Sequence, residues 1–299
     1  MTKEKEFRSG FAALVGRPNA GKSTLLNYMT GAKIAITSDK PQTTRNRIAG
    51  IINGTDYQLV LLDTPGIHKP KDKLGDSMVR LALNTLNETD VVFYLVDVTA
   101  PFGSGDAYLA EKLQTVETPV FLLLNKVDLL EKEKLLPLMD FYRNMREWQE
   151  IIPLSALKGD NVPALLQAAL KYLTPGPRYY PEDTLTDQPE SVLLAEIVRE
   201  KVIEATRDEV PHAVAVTIEQ LERRSEQLLY IAASIYVERD SQKGIIIGKN
   251  GERLKAIGSR ARVDIERLLG SKTYLELFVR VKSDWRNKDA VLRELGYRE

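Results

Sequence analysis

Short apolar runs punctuate the first half of the chain: FAALVG from Phe11, YQLVLLD from Tyr57, DVVFYLVDV from Asp90, PVFLLLN from Pro119 and EIIPLSA from Glu150. Each is too short for a helix and lacks period-two alternation, which predicts strands buried on both faces. Between them KSTLLNYMTG, DSMVRLALNTLNETD, DAYLAEKLQTV and VPALLQAALKYL carry apolar residues at helical spacing. Repeated βα units of this kind predict an α/β domain: a mostly parallel sheet with helices on both sides. The run TPGPRYYPEDTLTDQPES breaks the pattern, because its prolines cannot continue either element. The expected organisation is therefore a first domain over 1–173, a linker over 174–189 and a second, smaller domain over 190–299.

The second domain has a different rhythm. SVLLAEIVREKVIEATRDE is helical, HAVAVTIEQLE and QLLYIAASIYVER are strand-like, KAIGSRARVDIERLLG is helical, and TYLELFVRVKSDW alternates as a half-buried strand. A glycine-containing loop, GKNG, separates a short helix from the longer one after it. The predicted order is α-β-β-α-α-β, an α+β domain, with WRNKDAVLRELGY as a closing amphipathic helix.

Bulk properties narrow the function classes. At 299 residues, 43% of them hydrophobic, the chain can supply a core for each domain. Its 42 basic residues balance its 42 acidic ones, so attraction to nucleic acid has to be local. Without cysteine, and with His68 and His212 as its two imidazoles, it offers neither disulfides nor a Cys-based metal site. No apolar run reaches the length of a membrane span and the first residues lack a signal-peptide core, so a cytoplasmic protein is expected.

Candidate chemistry begins with Gly16-Arg-Pro-Asn-Ala-Gly21-Lys22-Ser23, placed between a predicted strand and a predicted helix. In that context glycines let the backbone approach a polyphosphate, and the N–H groups up to Ala20 and Thr24 and the helix N-terminus cradle it. Lys22 reaches the outer phosphates and Ser23 holds magnesium. Asp63-Thr64-Pro65-Gly66 ends the YQLVLLD strand, where Asp63 can meet magnesium and the Gly66 N–H can sense a γ-phosphate. Asn125-Lys126-Val127-Asp128 ends PVFLLL, and a carboxylate at Asp128 accepts from both the ring N–H and the exocyclic amine of guanine, a pair that adenine lacks. Ser155-Ala156-Leu157 then offers backbone N–H to the guanine oxygen. All four segments fall at carboxyl ends of strands, where open α/β sheets bind ligands.

Phe11 to Leu173 thereby resembles the translation-factor-like branch of the small GTPases, a P-loop fold. The resemblance implies binding of GTP and GDP, hydrolysis with Mg2+, and a switch threonine that closes over the metal. Pro41-Gln42-Thr43-Thr44-Arg45 fits that element; either threonine can serve, with Thr44 favoured. Lys22, Asn19, Thr44 and Gly66 are the expected catalytic positions. Ile67 stands where Ras-like enzymes carry a water-orienting glutamine, so water positioning comes from elsewhere. Pro18 and Asn19 depart from the Ras-like loop, and Asn19 is a candidate helper for K+ binding; the alternative is a loop asparagine bonding its own backbone. His68 is read as an exposed loop residue and not as a general base.

Gly248-Lys249-Asn250-Gly251, following Ile245, Ile246 and Ile247, resembles the GXXG loop of KH domains in their bacterial, type II order, over about 190–285. The resemblance implies a sugar-phosphate backbone passing close to two helix ends. The basic residues from Lys243 to Arg262 (Lys243, Lys249, Arg253, Lys255, Arg260, Arg262) face one acid, Glu252, a local +5 in a neutral chain. Lys243, Ile247, the four loop residues, Arg253 and Lys255 are the expected RNA contacts. Trp285 and Tyr274 are read as core aromatics, with stacking on bases as the alternative. A GTPase of this branch joined to a KH domain implies a bacterial protein that binds the 3′ end of 16S ribosomal RNA and assists 30S subunit maturation. It implies a cytoplasmic location with some peripheral contact at the inner face of the membrane; separately, a monomer is expected. Reciprocal coupling of nucleotide and RNA is expected. An RNA-binding scaffold with negligible hydrolysis is the alternative function, and a metabolic P-loop kinase has no use for NKVD.

Overall fold

Strand β1 (Arg8–Gly16) runs through the middle of a sheet in the order β2-β3-β1-β4-β5-β6, formed with β2 (Ile48–Asn53), β3 (Tyr57–Asp63), β4 (Val91–Asp97), β5 (Val120–Asn125) and β6 (Glu150–Leu154). The structure is a computed structural model; it describes residues 6–40, 43–67 and 69–298, and it divides into two units. The first unit takes in residues up to Ala35, Thr44–Lys71 and Met78–Asp187. All its pairings are parallel except β2 with β3 and the two-residue β7 (Thr174–Pro175) with β1. Residues such as Leu14, Phe93, Leu123 on one face and Val15, Tyr94, Leu122 on the other are buried. That two-sided burial is what the unbroken apolar runs require. Helices α1 (Lys22–Thr30), α2 (Lys73–Leu86), α3 (Ser104–Gln114), α4 (Lys132–Arg143) and α5 (Val162–Ala169) fill the crossovers.

Two features depart from the expectation. Strand β2 is not among the predicted runs, since IAGIIN is short and interrupted by Gly50. A Cβ there would lie 2.5 Å from Leu26 Cδ1, so the glycine lets α1 pack against the sheet. The proline-rich run is also not a bare spacer, for up to Asp187 it belongs to the first unit. Gln58, fully buried, accepts from the N–H groups of Tyr179 and Tyr180 (2.7 and 3.0 Å) and donates to Tyr180 O (2.9 Å). Extended, proline-rich backbone has unpaired N–H and C=O groups, and a buried amide carries a matching donor and acceptor.

The second unit comprises Ile36–Thr43, Asp72–Ser77 and Gln188–Glu299. Its elements are α6 (Glu190–Ala205), α7 (Val210–Ala213), β8 (Ala215–Ser225), β9 (Leu228–Val237), α8 (Asp240–Ile247), α9 (Glu252–Leu269), β10 (Lys272–Val281) and α10 (Asp289–Glu294). The sheet order is β10-β9-β8, with β8 antiparallel and β10 parallel to β9. Helix α9 buries Ile257, Ala261 and Ile265, one stripe at four-residue spacing, and ends at Gly270 in the left-handed conformation (φ 64°). Leu229, Ile231, Ala233, Ile235 and Val237 send alternate side chains of β9 into the same core.

Candidate functional site

The loop between β1 and α1 leaves the N-terminus of α1 without a side-chain cap and without an acidic residue in its first turn. Its first N–H groups are thus available to an anion. Lys22 is 5% exposed and its Nζ folds back onto the carbonyls of Gly16 and Arg17 (3.3 and 3.0 Å). Burial lowers its pKa to about 8, against the opposing pull of Asp63. Ala20 is buried, Thr24 is half-buried one step into the helix, and Asn19 is exposed in the left-handed region (φ 64°). Arg17, not singled out from the sequence, reaches away to Asp106 on α3 (2.6 Å) and anchors the loop from outside.

Three oxygens meet beside this loop. Ser23 Oγ donates to Asp63 Oδ2 (2.6 Å), and Thr44 Oγ1 lies 2.9 Å from Ser23 Oγ and 3.3 Å from Asp63 Oδ2. Thr43 instead donates to Lys40 O (2.6 Å), so the two adjacent threonines face different partners. Asp63 is fully buried and its Oδ1 has no hydrogen-bond partner among the described residues. Burial raises its pKa to about 6, although Lys22 and the Ser23 and Thr44 hydroxyls pull the other way. A buried, under-neutralised carboxylate flanked by two hydroxyls fits magnesium, a hard cation that takes oxygen donors and leaves positions for phosphates and water. Among the described residues no group of three or more His, Cys, Asp or Glu could hold a metal, so this mixed set is the donor set on offer.

Gly66 is pressed against the phosphate loop, and a Cβ on it would stand 2.6 Å from Pro18 N. Ile67 is fully buried among Ala13, Val15 and Tyr94, with its N–H donated to Gly16 O (3.1 Å). Its side chain therefore points into the core as well as being unable to polarise water. His68, Pro41 and Gln42 lie outside the described residues.

At the other end, Asn125 ties the motifs together. It is 1% exposed, donates from Nδ2 to Ala20 O (2.7 Å) and accepts at Oδ1 from Ala156 N (2.9 Å), so one amide spans the phosphate loop and the Ser155-Ala156-Leu157 segment. Lys126, left-handed at φ 71°, pairs with Asp97 at the end of β4. Burial raises the Asp97 carboxyl, but the hydrogen bonds from Lys126 and Thr99 outweigh it and hold the pKa low. Asp97 could have been found as the acid directly after the DVVFYLV run, where it stands opposite Asn125 in the β4–β5 register. Asp128 is exposed on the single turn Val127–Leu129. Ser155 N donates to Asp160 O (3.1 Å) and Leu157 is 71% exposed, so a purine oxygen must share the Ala156 N–H with Asn125 or use that of Leu157.

In the second unit, Gly248-Lys249-Asn250-Gly251 joins α8 to α9. Gly251 sits at φ 78° with nothing within 4 Å of where a Cβ would be, an open corner that only its backbone conformation reserves for glycine. A cleft of about 400 Å³ opens beside it, lined by Gly251, Leu254, Lys255, Ser259, Arg262 and Tyr274 among others. Of the expected contacts, Gly251 and Lys255 line it. Lys243, Ile247, Gly248, Lys249, Asn250 and Arg253 do not, and Arg253 donates to Ile245 O at the end of α8. Ile246 is core, Ile247 half-buried and Ile245 exposed. Trp285 is buried and donates to Ala213 O (2.9 Å). Tyr274 corrects the expectation: it is 52% exposed, because on β10 Leu275, Leu277 and Val279 take the core-facing alternate positions, and it stacks on Tyr230 (6.0 Å).

The model of the 50S ribosome-binding GTPase family matches residues 11–126, and that of the KH domain matches residues 209–286. The chain is similar to Era crystallised with MgGDPNP and nucleotides 1506–1542 of 16S ribosomal RNA (43% identity, TM-score 0.93, 98% of this chain and 100% of that one). It is equally similar to a point variant of Aquifex aeolicus Era bound to GDP and AlF4− (43% identity, TM-score 0.93, the same coverage). A P-loop GTPase domain with a mostly parallel sheet, a C-terminal KH domain and this identity over both full lengths place the chain in one family. It belongs to the Era family of GTPases.

Proposed function

We propose that this protein hydrolyses GTP as a switch, binds the 3′ end of 16S ribosomal RNA through its KH domain and assists maturation of the 30S subunit, as a monomer in the cytoplasm. The observation that carries the nucleotide reading is the convergence of Ser23, Thr44 and Asp63 beside Lys22, with Asn125 bridging to the base segment. Support for the RNA partner comes from the similar Era structure that holds 16S RNA and from the basic loop beside the Tyr274 cleft. Peripheral contact at the inner face of the membrane is part of the same proposal; no helix among the described residues is long and apolar enough to cross a membrane.

In this reading the α1 N-terminus and the amides of Ala20, Gly21 and Thr24 hold the phosphates, and Lys22 leaves the Gly16 and Arg17 carbonyls for them. Ser23 and Thr44 would ligate magnesium, with Asp63 facing it directly or through water. When bound, the metal neutralises charge on the β- and γ-phosphate oxygens. Gly66 offers its N–H toward the γ-phosphate, and Asp128 selects guanine. Because Ile67 is committed to the core, the attacking water is positioned by backbone groups of the Thr44 and Gly66 segments. Asn19 is proposed to help hold K+ at the charge that develops between the β and γ phosphates.

The direct test is multiple-turnover hydrolysis of GTP with Mg2+ in K+ and in Na+, with ATP as the control nucleotide. Turnover of GTP and not ATP is expected, faster in K+; equal rates in the two salts end the K+ assignment. Binding of an oligonucleotide matching the 3′ end of 16S RNA, compared with a scrambled one, tests the second domain.

A further inference from the structure

Helix α6 carries Arg199, Glu200 and Lys201 in succession, and all three are buried (0%, 1% and 7% exposed). An amphipathic helix leaves its charges in water, so burying three in a row calls for partners on every side. Within the second unit most of these partners are present, although Arg199 Nη1 has no hydrogen-bond partner among the described residues. The stretch Ile36–Thr43, which belongs to that unit, is held at two backbone points. Glu200 Oε1 accepts from Thr37 N (3.1 Å), and Arg199 Nη2 donates to Thr43 O while Nε and Nη2 also bind the Glu196 carboxylate. Behind them Lys201 pairs with Glu200 (2.9 Å) and with Asp264 on α9 (2.7 Å), and Arg260, also on α9, pairs with Glu204. Helix α9 is the one that opens at Gly251. The Asp72–Ser77 stretch is held in the same unit: Arg286 bridges Asp72 (3.1 Å) and Glu238 (2.7 Å).

We propose that Arg199 and Glu200 are positioning residues for GTP hydrolysis, fixing the backbone one peptide ahead of Thr44, and that Lys201 ties this hold to the helix following the Gly248–Gly251 loop. A peptide bond is rigid, so anchoring the Thr43 carbonyl restricts where the Thr44 N and Cα can go. Small misplacements of a group that closes on the reacting phosphate cost rate more than ground-state binding. Conversely, closure of Thr44 on its ligands pulls on Thr43, Arg199 and the ionic network that ends on α9. The proposal rests on the reading of Thr44 and of the loop given above. It differs from coupling across the proline-rich run, since that run up to Asp187 is bonded within the first unit.

The test uses the full chain with Mg2+ and K+. Arg199→Met is expected to lower kcat for GTP roughly tenfold to a hundredfold while leaving GDP affinity within about twofold, and Arg199→Lys to recover part of the loss. Thr37→Pro, which removes the N–H received by Glu200 without touching the buried helix, is expected to lower kcat in the same direction and serves if Arg199→Met does not fold. Amide exchange over residues 248–262 is then compared in GDPNP and GDP. Wild type is expected to show a nucleotide-dependent difference there, and Lys201→Met to lose it. Unchanged kcat in Arg199→Met or Thr37→Pro overturns the positioning role; a difference absent from wild type, or intact in Lys201→Met, overturns the tie to α9. Neither readout uses RNA, so failure of the oligonucleotide to bind would count against the RNA reading alone.

Discussion

Lys22, as the proposed phosphate ligand, is expected to make the nucleotide site proton-linked. Its ordinary pKa of 10.5 is lowered to about 8 by burial, a difference of about 3 kcal/mol against the charged form in the free protein. For stability, a depressed lysine pKa means the penalty is fully present below about pH 8 and is relieved as pH rises from about 8 to 10.5. For binding the sign is opposite, since phosphates need the ammonium and restore its pKa. Nucleotide should therefore bind with uptake of about half a proton at pH 8, and its affinity should fall about threefold between pH 7.5 and 8.5. Titration calorimetry of MgGDP in buffers of different ionisation enthalpy reads both quantities. GDP avoids titration of the γ-phosphate, and the window stays below the loss of the guanine ring proton. A flat affinity together with no proton uptake at pH 8 would refute the reasoning, and Lys22→Met should abolish the pH dependence along with most of the affinity.

Asn125→Ala strands a buried carbonyl at Ala20 and a buried N–H at Ala156, each costing about 1–3 kcal/mol; urea unfolding and GDP affinity should both register it, whereas an unchanged midpoint contradicts the bridge. Asp128→Asn is expected to weaken GTP by roughly 1.5–3 kcal/mol and to gain xanthosine triphosphate, whose carbonyl replaces the exocyclic amine; fluorescence competition with both nucleotides checks it. Thr44→Ala should reduce Mg2+-dependent hydrolysis far more than Thr43→Ala, because Thr44 alone of the two reaches Ser23 and Asp63; equal losses would reverse the assignment. Gly66→Ala should slow hydrolysis, since its Cβ would meet Pro18 N at 2.6 Å, and a wild-type single-turnover rate would show that the two segments can part at no cost.

Most of the first unit was legible because fully buried parallel strands write themselves as unbroken apolar runs, and because each nucleotide motif sits at a strand end. The strand β2 escaped because its Gly50 is there for α1 and not for the strand. Local sequence could not divide the work of Thr43 and Thr44, which differ in partners and not in type. Asn125 was legible as part of NKVD, but its bond to Ala20 O spans 105 positions and has no local signature. In the second domain the element order was readable from the change in periodicity. The exposure of Tyr274 follows from which alternate residues of β10 face the helices, which an edge strand with mixed burial does not declare. The buried charges of α6 are the largest omission, for a charged triplet in a helix reads as solvated until the partners are seen.

Strand β2 is the last strand on its side of the sheet, with an outer row of backbone groups that have no further strand to meet. The run after β7 supplies them instead: Ile51 N donates to Leu185 O (2.9 Å), Gly50 bridges Thr186, and Asn53 Nδ2 donates to Glu182 O (2.8 Å). These residues act as a selvedge, closing an apolar border that would otherwise be open to a second chain. A fragment cut at Leu173 would bare that border and self-associate through it, whereas one cut at Asp187 would keep it hemmed and stay dispersed.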